Sequence, residues 1–412
     1  MTNPALEKKL RLIDRLIEWN LIGLVLILPV ANTETVRAVF EITPFVLWGV
    51  KMYMERTWLV EKTPLDIPLL LFFITIIISL FTSLKLSASI RTLRTEFITC
   101  AMVYYTVTNN IKDEKSARRL VGALIIGSVF MAAYAALDLI TSPKDIFDIF
   151  SYRAGSLHQG YEAYAQYIIM AMPFIAVGFF YADKKWTKAA LFGAFVLNSV
   201  VLYFTYTRGA WAALAVEMIL VALLLPKRTI WKAVSVAVIV GGICGGFALL
   251  SEQTLWHGGG GIEHSTKEEM NTVEIRLKVW RGFVREFSKN PFLPAGYGKA
   301  NFKRRFSGKE FMDFEQAHNT FINVATQLGA QGLVALFIII CVILWAAWKT
   351  SRRVGAFTRH YSLAFIVMTV GFFTANQFAE FYIDDTALMF WLFTGVLISI
   401  YNMPKSLERE TD

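Results

Sequence analysis

The chain has 412 residues, 55% hydrophobic and 18% charged, with a formal net charge of +9 and a mean hydropathy of +0.48. That balance excludes an ordinary soluble chain, in which about 25% of residues are charged, and the 33 Phe, 15 Tyr and 11 Trp exclude a disordered one. Long apolar runs without evenly spaced alternating segments make the expected fold an all-α polytopic membrane protein rather than an outer-membrane barrel.

Twelve transmembrane spans are predicted in chain order, at about 19–33, 37–54, 66–84, 93–110, 118–140, 161–181, 187–205, 209–226, 230–250, 328–348, 361–381 and 386–402. Lys8, Lys9, Arg11 and Arg15 precede the first span without a cleavable small-residue site, so an uncleaved anchor is expected. From Ala189 to Leu225 the only charges are Arg208 and Glu217, and 37 residues are too many for one crossing. The chain should therefore fold back at Thr205-Tyr206-Thr207-Arg208-Gly209, with Arg208 at a membrane face. Residues 1–251 carry spans 1–9, residues 252–316 form a large loop, and residues 317–412 carry spans 10–12.

Short segments on one side hold 23 Lys and Arg, against seven on the other, namely Arg37, Lys85, Arg91, Arg94, Lys144, Arg153 and Arg208. The positive-inside rule then puts both termini in the cytoplasm, and the net charge reads as a topological signal, not as nucleic-acid binding. The 252–316 loop lies outside, carries eleven more Lys and Arg, and is the expected working part, because long loops in compact proteins are usually functional. A smaller outer loop, about 141–160, contains the candidate substrate-binding residues Arg153, His158 and Gln159.

Within the large loop, Glu268 to Phe287 reads as an amphipathic helix on the membrane surface, with Val273, Leu277, Trp280, Val284 and Phe287 as its apolar stripe and Arg276 and Arg281 on its flanks. Such arginines either snorkel to lipid phosphates or bind an anionic substrate. Arg208 faces the same choice. The helix stops at Asn290-Pro291. Where the loop re-enters the membrane, His318, Phe321, Ile322 and Ala325 would share a helical face. Burial and the positive helix end favour a neutral imidazole there, either a proton acceptor or a satisfied interfacial residue. Glu217 needs a partner or a protonated state inside its span and is read as structural, with a proton relay as the alternative. Glu380, Asp384 and Asp385 make a solvated tip or a cation site, and His264 with Glu268 is too little for a metal. Cys100, Cys244 and Cys341 sit in apolar runs as small buried hydrophobes, and Gly258 to Gly261 reads as a hinge. Without a Walker loop, a dinucleotide fingerprint or a zinc-protease motif, no cofactor is expected.

Taken in order, Thr-Tyr-Thr-Arg at the outer turn, Arg-Leu-Lys-Val-Trp followed by Asn-Pro-Phe-Leu-Pro-Ala-Gly-Tyr-Gly in the large loop, and His-Asn-Thr-Phe-Ile opening a span resemble the O-antigen ligase family over roughly residues 150 to 350. The resemblance implies a glycosyltransferase of the bacterial inner membrane, working on the periplasmic face without metal or nucleotide. It would move a glycan from undecaprenyl diphosphate to an acceptor sugar of lipid A core. Carried over by motif, Arg208, Arg276 and His318 are the catalytic candidates, with Arg281 and Asn319 as substrate-binding neighbours. Thr207 stands where Ser is usual, and Pro294-Ala295-Gly296 replaces a more common turn. A polysaccharide polymerase or protein O-glycosyltransferase of the same superfamily would use the same donor, and the single large loop favours a ligase. A non-catalytic transporter of lipid-linked glycan should show internal repeats and charges deep in paired spans, which the sequence lacks.

In a background with Cys100, Cys244 and Cys341 replaced by serine, an impermeant thiol reagent on intact spheroplasts should label Gly259→Cys and spare Lys405→Cys. The reverse pattern would invert the topology.

Overall fold

The computed structural model describes residues 4–58, 60–141, 154, 157, 160–225, 241, 272–301, 317–378 and 384–403. Every regular element among them is helical. The first half comprises α1 (Pro4–Ile27), α2 (Glu34–Glu55), α3 (Asp66–Leu80), α4 (Leu86–Thr92), a π-helical turn (Leu93–Ile98), α5 (Thr99–Asn110) and α6 (Glu114–Thr141). The second half comprises α7 (Tyr161–Tyr181), α8 (Lys185–Phe204), α9 (Arg208–Leu224), α10 (Thr272–Lys289), α11 (Thr320–Ser351), α12 (Ala356–Ala375) and α13 (Asp384–Asn402).

Six of these helices, α6, α7, α8, α11, α12 and α13, are long and apolar enough to cross a bilayer. Helices also stand at the first four predicted spans and the eighth. Charges inside α1 and α2, and the 15- and 17-residue lengths of α3 and α9, leave these outside that set. The predicted span at 230–250 falls outside the described residues except for Gly241.

The innermost helices are α7, α12 and α13. α12 packs on α7 and α9, α13 on α5, and α11 on α3 and α12. Because lipid offers no hydrogen bonds, some polar groups in this core find partners on neighbouring helices. Tyr361 of α12 donates to the Phe393 carbonyl of α13 at 2.8 Å, and Thr386 of α13 donates to Gln166 of α7 at 3.2 Å. Apolar side chains such as Ile126, Phe130 and Leu137 of α6 and Val334 and Phe337 of α11 point outward, as they should toward acyl chains.

The connections predicted to lie outside meet at one end of the bundle. Ala31 donates to Leu157 O at 2.6 Å, Ala154 to Phe204 O at 2.8 Å, and Thr320 to Asn376 O at 3.0 Å. Ion pairs Lys51–Asp14 and Arg119–Glu18 join helices toward the other end, and Lys112–Glu61 joins two connections there.

The site depends on a break in α11. At Gly329 the backbone turns to φ 78°, ψ −179°, a region open almost only to glycine, so the helical ladder is interrupted. The groups this releases are taken up by the turn that follows α10. Ala295 N donates to Thr326 O at 2.9 Å and Gly296 N to Gln327 O at 3.3 Å, while Ala330 N donates to Pro291 O at 2.8 Å. The Gln327 side chain accepts from Gly298 N at 2.9 Å, and Gln331 donates to Phe292 O at 3.1 Å. A short segment, 320–328, is thereby set off from the long span beginning at Ala330.

Gly329→Ala should destabilise the protein by about 1–3 kcal/mol because alanine is strained there. Gly122→Ala, in an open helical position of α6, should be neutral or mildly stabilising. Thermal unfolding in detergent compares the two, and equal melting temperatures would remove the role given to the break.

Candidate active site

Three pieces of chain converge at the end where the outer connections meet. The first is the turn before α9. Thr205 Oγ1 donates to Leu202 O at 2.7 Å and accepts from Thr207 N at 3.3 Å, and Tyr206 takes a left-handed φ of 52°. Trp211 stacks on Tyr203 at 5.4 Å and donates to Leu202 O at 3.2 Å, locking the turn against α8. Arg208 is the first residue of α9 and is exposed, where the sequence put it.

The second piece is α10, whose buried face differs from the expected stripe. Val279 and Phe283 are buried against Ala295 and Ala317, with Trp280 and Ile322 packed alongside, while Leu277 and Val284 are 41% and 53% exposed. The spacing 276, 279, 280, 283 is a proper helical stripe, rotated from the predicted one so that Trp280 is common to both. Gly282, also buried, adds no side chain to obstruct that face. Arg276 therefore heads the buried stripe and is half-buried, whereas Arg281 points into the open.

The third piece carries His318, which is not helical as expected. α11 starts at Thr320 with Asn319 as its N-cap, extended at φ −150°, ψ 117°, and His318 lies before it with a left-handed φ of 48°. Capping explains the difference, since a residue that caps with its side chain leaves the helix and takes its predecessor with it. Asn319 Oδ1 accepts from Ile322 N at 3.1 Å, and its Nδ2 donates to the Gln377 carbonyl and side chain at 3.2 and 3.1 Å. Ala317 N donates to Asn323 Oδ1 at 3.0 Å, and Trp280 Nε1 donates to Ala317 O at 2.7 Å. The backbone on both sides of His318 is thus pinned, and the helix bearing Arg276 supplies one of the pins.

Sequence reading missed the residues that assemble these pieces. Asn376, Gln377 and Phe378, just after α12, hold in turn the Thr320 amide, the Asn319 side chain and the start of α9. Phe378 lies between α9 and α10. A Cβ on Gly209 would come within 2.8 Å of the Phe378 Cβ, and the Phe378 ring is 6.3 Å from Trp280. Their signal was a polar Asn-Gln pair late in an apolar run. Glu162, in the first turn of α7, was also missed, because an acid there reads as a helix-dipole residue. Its Oε1 is 3.8 Å from Arg276 Nη2.

Burial lowers the His318 pKa below the usual histidine value, the nearby Arg276 and Lys299 lower it further, and Glu162 opposes them without prevailing. The imidazole is neutral at physiological pH and able to accept a proton.

Elsewhere, Asp385 pairs with Arg37, which also reaches Glu41 at 3.1 Å. Among the described residues there is no group of three or more His, Cys, Asp or Glu placed to hold a metal ion. Glu217 is buried in α9 with neither oxygen hydrogen-bonded, packed where Gly371 of α12 leaves room. Cys100 is buried, but Cys341 is exposed, a correction that follows from its outward position on α11. Arg153, His158, Gln159, Cys244, Gly258 to Gly261, His264, Glu268 and Glu380 lie outside the described residues, as does the side chain of Asp384.

Fold and site together define a polytopic helical membrane protein with a basic, histidine-bearing site at one end. A family model described as O-antigen ligase matches residues 193–337, which include Arg208, Arg276, Arg281, His318 and Asn319, so this part of the chain is similar to the O-antigen ligase family. No curated protein matches.

Carbethoxylation of His318, followed by peptide mass spectrometry against pH, should titrate with a midpoint below the ordinary 6.5. The sign follows because burial and two cations disfavour the imidazolium and, among the described residues, only Glu162 favours it. A midpoint above 6.5 would contradict this balance.

Proposed function

We propose that the protein is an O-antigen ligase, an inverting, metal-independent glycosyltransferase that moves a glycan from undecaprenyl diphosphate to a sugar hydroxyl of lipid A core at the periplasmic face of the inner membrane. The observation that carries this reading is the pinning of His318 by the Arg276 helix, through Trp280 and Ala317, within the segment matched by the family model.

In this reading His318 takes the proton of the acceptor hydroxyl, whose oxygen forms the new bond to the anomeric carbon. The bond from that carbon to the diphosphate oxygen breaks, and its electron pair leaves with the diphosphate. Displacement from the far side inverts the anomeric centre. Negative charge grows on the leaving group as the bond breaks, so guanidinium groups of Arg208 and Arg276 favour the transition state over the ground state. The base contributes typically 10²–10⁴-fold. The donor's own diphosphate linkage supplies the driving force. Asn319 holds the His318 backbone, and Arg281 stands at the margin.

With donor and separated acceptors in proteoliposomes, wild type should glycosylate lipid A core with inverted configuration, and chelators should have no effect. His318→Ala should lose about 10²-fold or more in rate. Arg208→Lys and Arg276→Lys should each be strongly impaired, because a point charge does not reproduce the planar fork, while Arg281→Ala should remain near normal. Transfer only to a second lipid-linked glycan would make the protein a polymerase, and wild-type rates in His318→Ala would remove the base.

A further inference from the structure

We infer that Glu162 is a positioning residue that serves two cations in turn, holding Arg276 while the site is empty and becoming the counter-charge of the His318 imidazolium once a diphosphate has drawn Arg276 away. This rests on the reading proposed above.

Glu162 and His318 come from distant parts of the chain, yet Arg276 approaches Glu162 at 3.8 Å and both charges act on the His318 imidazole. Among the described residues three charged groups bear on that imidazole: Glu162 from the start of α7, Arg276 from α10, and Lys299 from the segment after α10. Glu162 is the only acid among them, and among the described residues it is the group that can stabilise the positive charge His318 acquires on accepting a proton.

The pair with Arg276 is of a kind that opens readily. At 3.8 Å it is an ion contact without a hydrogen bond, and the side chains are 30% and 42% exposed. Exposed pairs of this sort are worth little, whereas a diphosphate offers the guanidinium a bidentate, doubly charged partner. Donor binding therefore displaces the carboxylate from Arg276. The field of Glu162 at His318 is then no longer offset by the adjacent guanidinium, and the imidazole becomes a stronger base when there is a leaving group to expel. An acid that only stabilised the first turn of α7 would have no reason to lie against the arginine of another element.

The inference gives Glu162→Gln opposite effects on affinity and rate. The donor KM, and the dissociation constant for inorganic pyrophosphate as a probe, should fall by up to about fivefold, since no carboxylate competes for Arg276. The kcat should fall by about tenfold or less, because the imidazolium loses its counter-charge. The His318 titration midpoint, read by carbethoxylation without substrate, should move to lower pH, and the acid limb of the rate profile should move with it. Glu162→Asp, which keeps the charge on a shorter stem, should fall between Gln and wild type and covers the case of a poorly folding Gln variant. A His318 midpoint unchanged in both variants, or weaker pyrophosphate binding by Glu162→Gln, would overturn the inference. Titration and pyrophosphate binding are measured without transfer, so loss of the glycosyltransferase reading would appear separately, as a wild type that binds pyrophosphate but transfers nothing.

Discussion

The arrangement depends on backbone hydrogen bonds that a membrane cannot supply. An interrupted helix at the edge of a bilayer exposes carbonyls and amides that lipid leaves unsatisfied, and such breaks persist only where other protein groups take them up. Here the chain after α10 does so, with Pro291, Ala295 and Gly296 bonding across the break at Gly329. The same contacts fix α10 against the start of α11. Packing of Val279 and Phe283 on Ala295 and Ala317 closes the arrangement from the apolar side. The loop-borne arginine and the histidine before α11 are thus placed by one set of interactions.

A second set draws in the turn before α9. Residues 376–378 reach the Thr320 amide, Asn319 and Gly209, and Phe378 lies beside Trp280. Elements from three regions of sequence thereby present charge to one locality. The electrostatics follow from burial. A half-buried imidazole beside two cations and one acid stays neutral, and Arg208 is exposed.

What could be read from the sequence follows a physical line. Apolar runs gave the helix positions well because they reflect transfer from water, which is local and additive. The Arg208 turn was visible because a 37-residue run with two charges must fold back. The end of α10 near Asn290 was signalled by proline. Its buried face was not, because two overlapping stripes share Trp280 and only the partner surface chooses between them. His318 was assigned to the helix because its cap, Asn319, looks in sequence like any polar residue at a helix start. Glu162 and residues 376–378 were missed because their roles lie in contacts with segments far away in the chain.

The left-handed backbone at position 318 also limits how this histidine could be replaced over evolutionary time. Apart from glycine, Asn, Asp and His are the side chains that enter that conformation most readily. Asn and Gly offer no base. Asp would bring a carboxylate beside Glu162 and ionise at far lower pH than the chemistry requires. The fold narrows the alphabet at this position to a few letters, and the proposed reaction would leave one, so a lineage that lost this histidine would have to rebuild the turn before it could restore the proposed base.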